Sequence, residues 1–180
     1  MDQANQEPRK TKELSQQYED LLECLDGLVK VYRTLLETVR REKEILIASQ
    51  LDDLTENNKA KDAMLVKIRS LELCRIGLAT ELARAVGADH ESPRLLEIAN
   101  RSTLALGDRL RSMHNVLDLL VKRVAEVNKQ NEELVQSALT TITGAMEAIR
   151  DGLKPKATYG SKGKMADASK DGGHLVRKEV

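Results

Sequence analysis

The stretch YEDLLECLDGLVKVYRTLLETV, residues 18–39, decides the fold. Its apolar positions Tyr18, Leu21, Leu25, Leu28, Tyr32, Leu35 and Val39 advance in steps of 3, 4, 3, 4, 3 and 4, which is a heptad seam. Leu22, Val29 and Leu36 add a flanking row, so three positions in seven are apolar. A two-stranded coil needs a narrower seam. A stripe this wide suits a helix that touches two neighbours in a small bundle. The spacing predicts a helix over roughly 10–49, after a disordered N-terminus at 1–9.

Moving outward, Ser49-Gln50-Leu51-Asp52-Asp53-Leu54 interrupts the pattern. Ser49 suits an N-cap, with Asp52 and Asp53 facing the positive end of a helix dipole in the first turn. The second helix is expected over 51–86, on the stripe Leu51, Leu54, Met64, Ile68, Leu71, Leu78, Leu82 and Val86. Glu56 to Lys61 is mostly polar, so this end of the hairpin is expected to stand in solvent. Gly87 suits the left-handed residue that ends a helix. Ser92-Pro93 then reads as an N-cap and first helical residue. A third helical region is expected over 93–153, with Gly107 dividing a short piece from a long one. The long piece carries the heptad Leu106, Leu110, Met113, Leu117, Leu120, Val124, Val127, Asn131, Leu134, Ala138. Lys154-Pro155 stops it. Residues 154–180, with four Gly among Lys, Ser, Asp and Ala, cannot bury enough surface to offset their ordering entropy and read as a mobile tail.

The helical body is thus 10–153. A helix of about 40 residues at 1.5 Å per residue is about 60 Å long, and short connections make such helices antiparallel neighbours. The fold class expected is all-α: an elongated antiparallel three-helix bundle.

Composition agrees. The 180 residues contain no Trp or Phe and three Tyr, and 32% are charged. Long amphipathic helices have this composition, whereas strands draw on aromatic and β-branched residues. Net charge is zero, but residues 154–180 hold seven Lys or Arg against three Asp or Glu, leaving a mildly acidic body. That distribution argues against nucleic acid as the main partner. Cys24 and Cys74 form no Cys-x-x-Cys pair, and His90, His114 and His174 have no ligand spacing, so no metal or other cofactor is expected. A polar start, MDQANQEPRKTK, and no apolar run of membrane-spanning length point to a cytoplasmic protein without stable membrane insertion.

No catalytic constellation emerges, and an enzyme is not expected. Asp52-Asp53 point about 100° apart on a helix and read as dipole compensation. His114 reads as a hydrogen-bonded helix residue beside Met113. Cys24 and Cys74 read as small semi-buried fillers.

Two features exceed this bland reading. Val135, Leu139, Ile142, Met146, Ile149 and Leu153 make a second row in steps of 4, 3, 4, 3 and 4, while the first seam weakens to Ala138, Thr141 and Ala145. Either the row packs on the first helix of the same chain, or the last helix outruns its neighbours and offers the row to another amphipathic helix. Met in such a row adapts to varied partners. The second feature is Asn131 within the heptad, with Asn128 three residues before it. A buried Asn fixes register, and a direct role in binding is the alternative.

The segment Asn128-Lys129-Gln130-Asn131-Glu132-Glu133-Leu134-Val135-Gln136-Ser137-Ala138-Leu139 resembles the Asn-x-x-Asn-x-x-Leu-Ile/Val-x-x-Ser-Leu helix of the FlgN family, departing by one residue at Ala138. Leu35-Leu36-Glu37, Glu42-Lys43-Glu44-Ile45-Leu46-Ile47 and Leu51-Asp52-Asp53-Leu54 are similar to that family's first helix and break. Thr158-Tyr159-Gly160-x-x-Gly163-Lys164 resembles its short tail signature. The resemblance covers about 15–164, and residues 165–180 have no counterpart. It implies a cytoplasmic flagellar export chaperone that binds the C-terminal helical region of hook–filament junction proteins and docks on the cytoplasmic domain of the export gate, with the export ATPase complex as a further partner. The matching cargo positions are Asn128, Asn131, Val135, Leu139, Ile142, Met146 and Ile149, and the gate position is Tyr159. The rival reading is a coiled-coil adaptor or homodimeric spacer, a homo-oligomer with no export role. A membrane-surface role ranks lower, because residues 132–153 hold one basic side chain, Arg150.

Overall fold

The computed structural model describes residues 7–153, with side chains from 12 onward except that of Leu51. Of the N-terminus expected to be disordered at 1–9, residues 1–6 lie outside the described residues, as does the expected mobile tail at 154–180, whereas Glu7 to Arg9 are already helical. Among the described residues there are four helices and no strand: α1 (Glu7–Ala48), α2 (Leu51–Val86), α3 (Leu95–Arg101) and α4 (Leu104–Gly152).

The heptad of residues 18–39 is the spine of the core. Leu21, Leu25 and Leu28 are completely buried, and Tyr18, Leu35 and Val39 nearly so. Each such side chain contributes about 1.5–3 kcal/mol of apolar transfer. Leu22, Val29 and Leu36 are buried too, as a stripe that meets two neighbours requires. α2 answers with Ile68, Ala79, Leu82 and Ala83, α3 with Leu95, Ile98 and Ala99, and α4 with Leu110, Leu117 and Val127.

The helix ends explain three departures from expectation. Ser49 does not cap α2. It is the left-handed residue that closes α1, with φ 57°. The amide of Gln50 donates to the Ile45 carbonyl and that of Ser49 to Leu46, both at 3.2 Å, which satisfies two terminal carbonyls of α1. Gln50 stands at the α2 N-cap without a side-chain bond, and Asp52 and Asp53 occupy the first turn. Gly87, with φ 72°, closes α2 in the same manner: its amide meets Arg84 and that of Ala88 meets Ala83.

Ser92-Pro93 does not start a helix. Asp89 Oδ1 accepts from the amides of Glu91 at 3.0 Å and Ser92 at 3.4 Å, so Ser92 belongs to a turn built on Asp89. Arg94 is still extended, and α3 begins at Leu95.

The break expected at Gly107 falls earlier, at Ser102-Thr103. The Ser102 hydroxyl donates to the Ile98 carbonyl at 2.5 Å and receives the phenol of Tyr18, which holds the end of α3 on α1. Gly107 lies inside α4 because α4 crosses the end of α3 there: a Cβ on Gly107 would collide with the carbonyl oxygen of Ala99.

The chain divides into two compact units, Met1–Val135 and Gln136–Val180. In the first, pairings between helices advance in register. Along α1, Cys24 and Thr38 meet Leu71 and Asn57 of α2, so residue numbers fall on α2 as they rise on α1, and the long Lys61 side chain reaches Glu42 from α2. Glu19 meets Arg109 and Lys43 meets Gln130, so numbers rise together on α1 and α4. In the polar stretch Glu56–Lys61, Glu56, Asn58, Lys59 and Ala60 stand in solvent as expected, and two residues do not. Asn57 is buried and donates to the Thr38 carbonyl at 3.3 Å, and Lys61 reaches across to Glu42.

Candidate functional site

Toward the end of the first unit the core turns polar. Lys61 Nζ lies 2.9 and 2.8 Å from the two carboxylate oxygens of Glu42. Asn131, 3% exposed, donates through Nδ2 to the Val39 carbonyl at 2.9 Å and to Glu42 Oε2 at 3.1 Å. Asn128 Oδ1 accepts from Lys61 at 3.4 Å. α1, α2 and α4 therefore meet in one layer in which a nearly buried carboxylate is held by an ammonium and an amide. Such a pair adds little net stability against an apolar layer, but its geometry is demanding and sets register. Asn131 Oδ1 is the buried side-chain polar atom without a protein partner here.

Just beyond this layer, Lys43 donates to Gln130 Oε1 at 2.9 Å. At equal rise along α1 and α4, that pairing sets Ala48, the last residue of α1, level with Val135. From Gln136 to Leu153 every residue is exposed. Val135, Leu139, Ile142, Met146, Ile149 and Leu153 form one apolar row whose exposure runs from 40% at Val135 to 78% at Leu153. Steps of 4 and 3 keep these side chains on one helix face. On the other side of the same helix, Thr140 and Thr141 bond the carbonyls of Gln136 and Ser137, so their hydroxyls are satisfied within the helix. The result is a solvent-facing row of large apolar side chains beside small or locally satisfied ones. A contiguous row of this kind is a candidate binding surface.

Of the sequence-derived cargo positions, Val135, Leu139, Ile142, Met146 and Ile149 stand together on this row. Asn128, seven residues before Val135, is exposed at the start of the same face and bonds Lys61, whereas Asn131 is enclosed between α1 and α4. Tyr159 lies outside the described residues. Sequence reasoning missed Glu42, Lys61 and Asn57. The signal for Glu42 was present, since the heptad continues from Val39 by a step of 3 onto Glu42, placing a carboxylate in the seam as Asn131 places an amide.

Among the described residues no three His, Cys, Asp or Glu side chains gather as a metal site, and no helix is long and apolar enough to cross a membrane. No curated protein and no solved structure matches the chain. A family model described as FlgN protein matches residues 17–167, a span that holds the heptad of α1, the polar layer and the whole exposed row. The chain belongs to the FlgN family, the flagellar export chaperones.

Proposed function

We propose that this chaperone binds the C-terminal helical region of hook–filament junction proteins on the row Val135, Leu139, Ile142, Met146 and Ile149, keeps that region from associating early, and delivers it to the cytoplasmic domain of the export gate. The observation that carries the reading is the exposure of this row on a helix whose preceding seam is buried. An amphipathic cargo helix covers such a row with its own apolar face, with anchors one and two turns apart. Covering it lowers the free concentration of a self-associating segment. Ordering of the cargo on binding costs free energy, which keeps the complex reversible and suits a cargo that is handed on. Asn128 and Asn131 act one step back, by setting where α4 stands on α1 and α2. Tyr159 is the residue assigned to the export gate, with the export ATPase complex as a further partner. The chain acts in the cytoplasm, catalyses no reaction and needs no cofactor. Its pairing registers support an up-down-up bundle of three long helices, α1 and α2 antiparallel, with α3 as a short step before the third.

The test is titration of the purified chain with the C-terminal helical segment of a junction protein from the same genome, beside an Ile142→Asp, Met146→Asp double variant. One-to-one binding in the micromolar range or tighter, lost in a double variant with unchanged unfolding of the first unit, is expected. A folded wild-type chain that does not bind would remove the reading, and the homodimeric spacer would take its place.

A further inference from the structure

The two cysteines, fifty residues apart in sequence, come together across α1 and α2. Cys24 is 7% exposed, and its Sγ donates to the Leu71 carbonyl at 3.4 Å. Cys74 is one turn beyond Leu71, on the same flank of α2, and is exposed. The register that sets Thr38 against Asn57 sets Cys24 against the Leu71–Cys74 turn. Gly27, one turn after Cys24, lies against the same Leu71 side chain, where a Cβ would make an ordinary contact at 3.5 Å.

We propose that Cys24 and Cys74 form a reversible disulfide when the chain meets a peroxide, tying α1 to α2 within the first unit. Cys74 reacts first because it is exposed, whereas burial, with the adjoining Cys74, pushes the Cys24 thiol up to about 11. The Cys74 sulfur attacks one peroxide oxygen, the O–O bond breaks, and water leaves as Cys74 becomes a sulfenic acid. The Cys24 sulfur then attacks Cys74 Sγ. The S–S bond forms, the S–O bond breaks, and the departing hydroxide takes the Cys24 proton as a second water. Two thiols and one hydrogen peroxide thus yield one disulfide and two waters. In a reducing compartment the bond is transient and reports oxidant.

The experiment treats the reduced full-length chain with an equal amount of hydrogen peroxide, then alkylates and maps it without reductant. A monomer lighter by two hydrogens is expected, with one peptide joining Cys24 to Cys74 and complete reversal by dithiothreitol. In Cys24→Ser the reaction stops at the Cys74 sulfenic acid, which dimedone captures, and that capture is lost in wild type. Dimers linked Cys74 to Cys74, or an alkylated Cys24 beside an overoxidised Cys74, would overturn the proposal. So would a bond that forms as fast in urea-unfolded chain as in the folded one, an arm that needs no variant.

Discussion

Replacing Gly107 by Ala tests whether α4 crosses the end of α3 as closely as described. In an exposed helix interior, Gly→Ala stabilises by about 0.8–1 kcal/mol, because the Gly backbone loses more freedom on folding. At Gly107 the new methyl is aimed at the Ala99 carbonyl oxygen, with the carbonyl carbon at 3.4 Å and Arg111 Nη2 at 3.2 Å. The guanidinium can swing away. The Ala99 carbonyl cannot, because Ile98 and Ala99 are 0% and 2% exposed and anchor α3 in the core. Forcing an extra carbon into such a site costs about 1–3 kcal/mol, which exceeds the propensity gain. The control is Gly77→Ala in α2, where a Cβ meets nothing within 4 Å. Urea unfolding followed by helical circular dichroism should find Gly77→Ala more stable than wild type by up to about 1 kcal/mol and Gly107→Ala less stable by about 1–2 kcal/mol, with unchanged denaturant slope. Equal stabilisation by both substitutions would refute the close crossing and with it the described break at Ser102-Thr103.

Three further outcomes are expected. Tyr18→Phe should cost about 1 kcal/mol and Ser102→Ala about 1–3 kcal/mol by the same assay, because the first removes a donor while Ser102 keeps Ile98, and the second strands a buried phenol. Lys61→Met should destabilise by about 1–3 kcal/mol in chemical unfolding, less than the loss of a fully enclosed partner, since Lys61 and Glu42 side chains retain 21% and 12% exposure. Stability should fall as pH rises from 9.0 toward about 11, because the folded chain holds the Cys24 proton more tightly than the unfolded chain does. Burial, with Glu72 nearby, pushes Tyr32 in the same direction. A melting series across that range should be flatter in Cys24→Ala than in wild type.

The helices were legible where one physical rule acts alone. A heptad of large apolar residues has one low-energy outcome, so Tyr18 to Val39 identified the buried face of α1. Gly87 identified the end of α2, since a left-handed residue favours glycine. The ends were misread where two rules compete. Ser49 satisfies the preference for an N-cap, but α1 needs its last carbonyls bonded, and Ser49 adopts φ 57° to serve that end instead. Gly107 looked like a breaker, whereas the absence of its side chain permits a crossing that only the packed chain reveals. The site divides the same way. The row from Val135 to Ile149 was visible in its spacing, but whether other helices cover a row is not written in its own residues. Asn57 and Lys61 looked solvated because polarity alone does not show a partner nineteen residues away in sequence.

The polar layer has a consequence for the register of α4 on α1. A heptad helix can slide by seven residues and meet its partners with much the same apolar pattern, and such a slide of α4 would set Ala138 where Asn131 now stands. Asn131 opposes it. Sliding would carry its amide away from the Val39 carbonyl into an apolar layer and leave Glu42 facing Ala138, at a cost of about 2 kcal/mol or more for the stranded polar groups. The least apolar part of the core thus works as a detent for the register of α4 on α1. In Asn131→Leu the detent is gone, and a pair of distance labels on α1 and α4 should report two registers where wild type reports one.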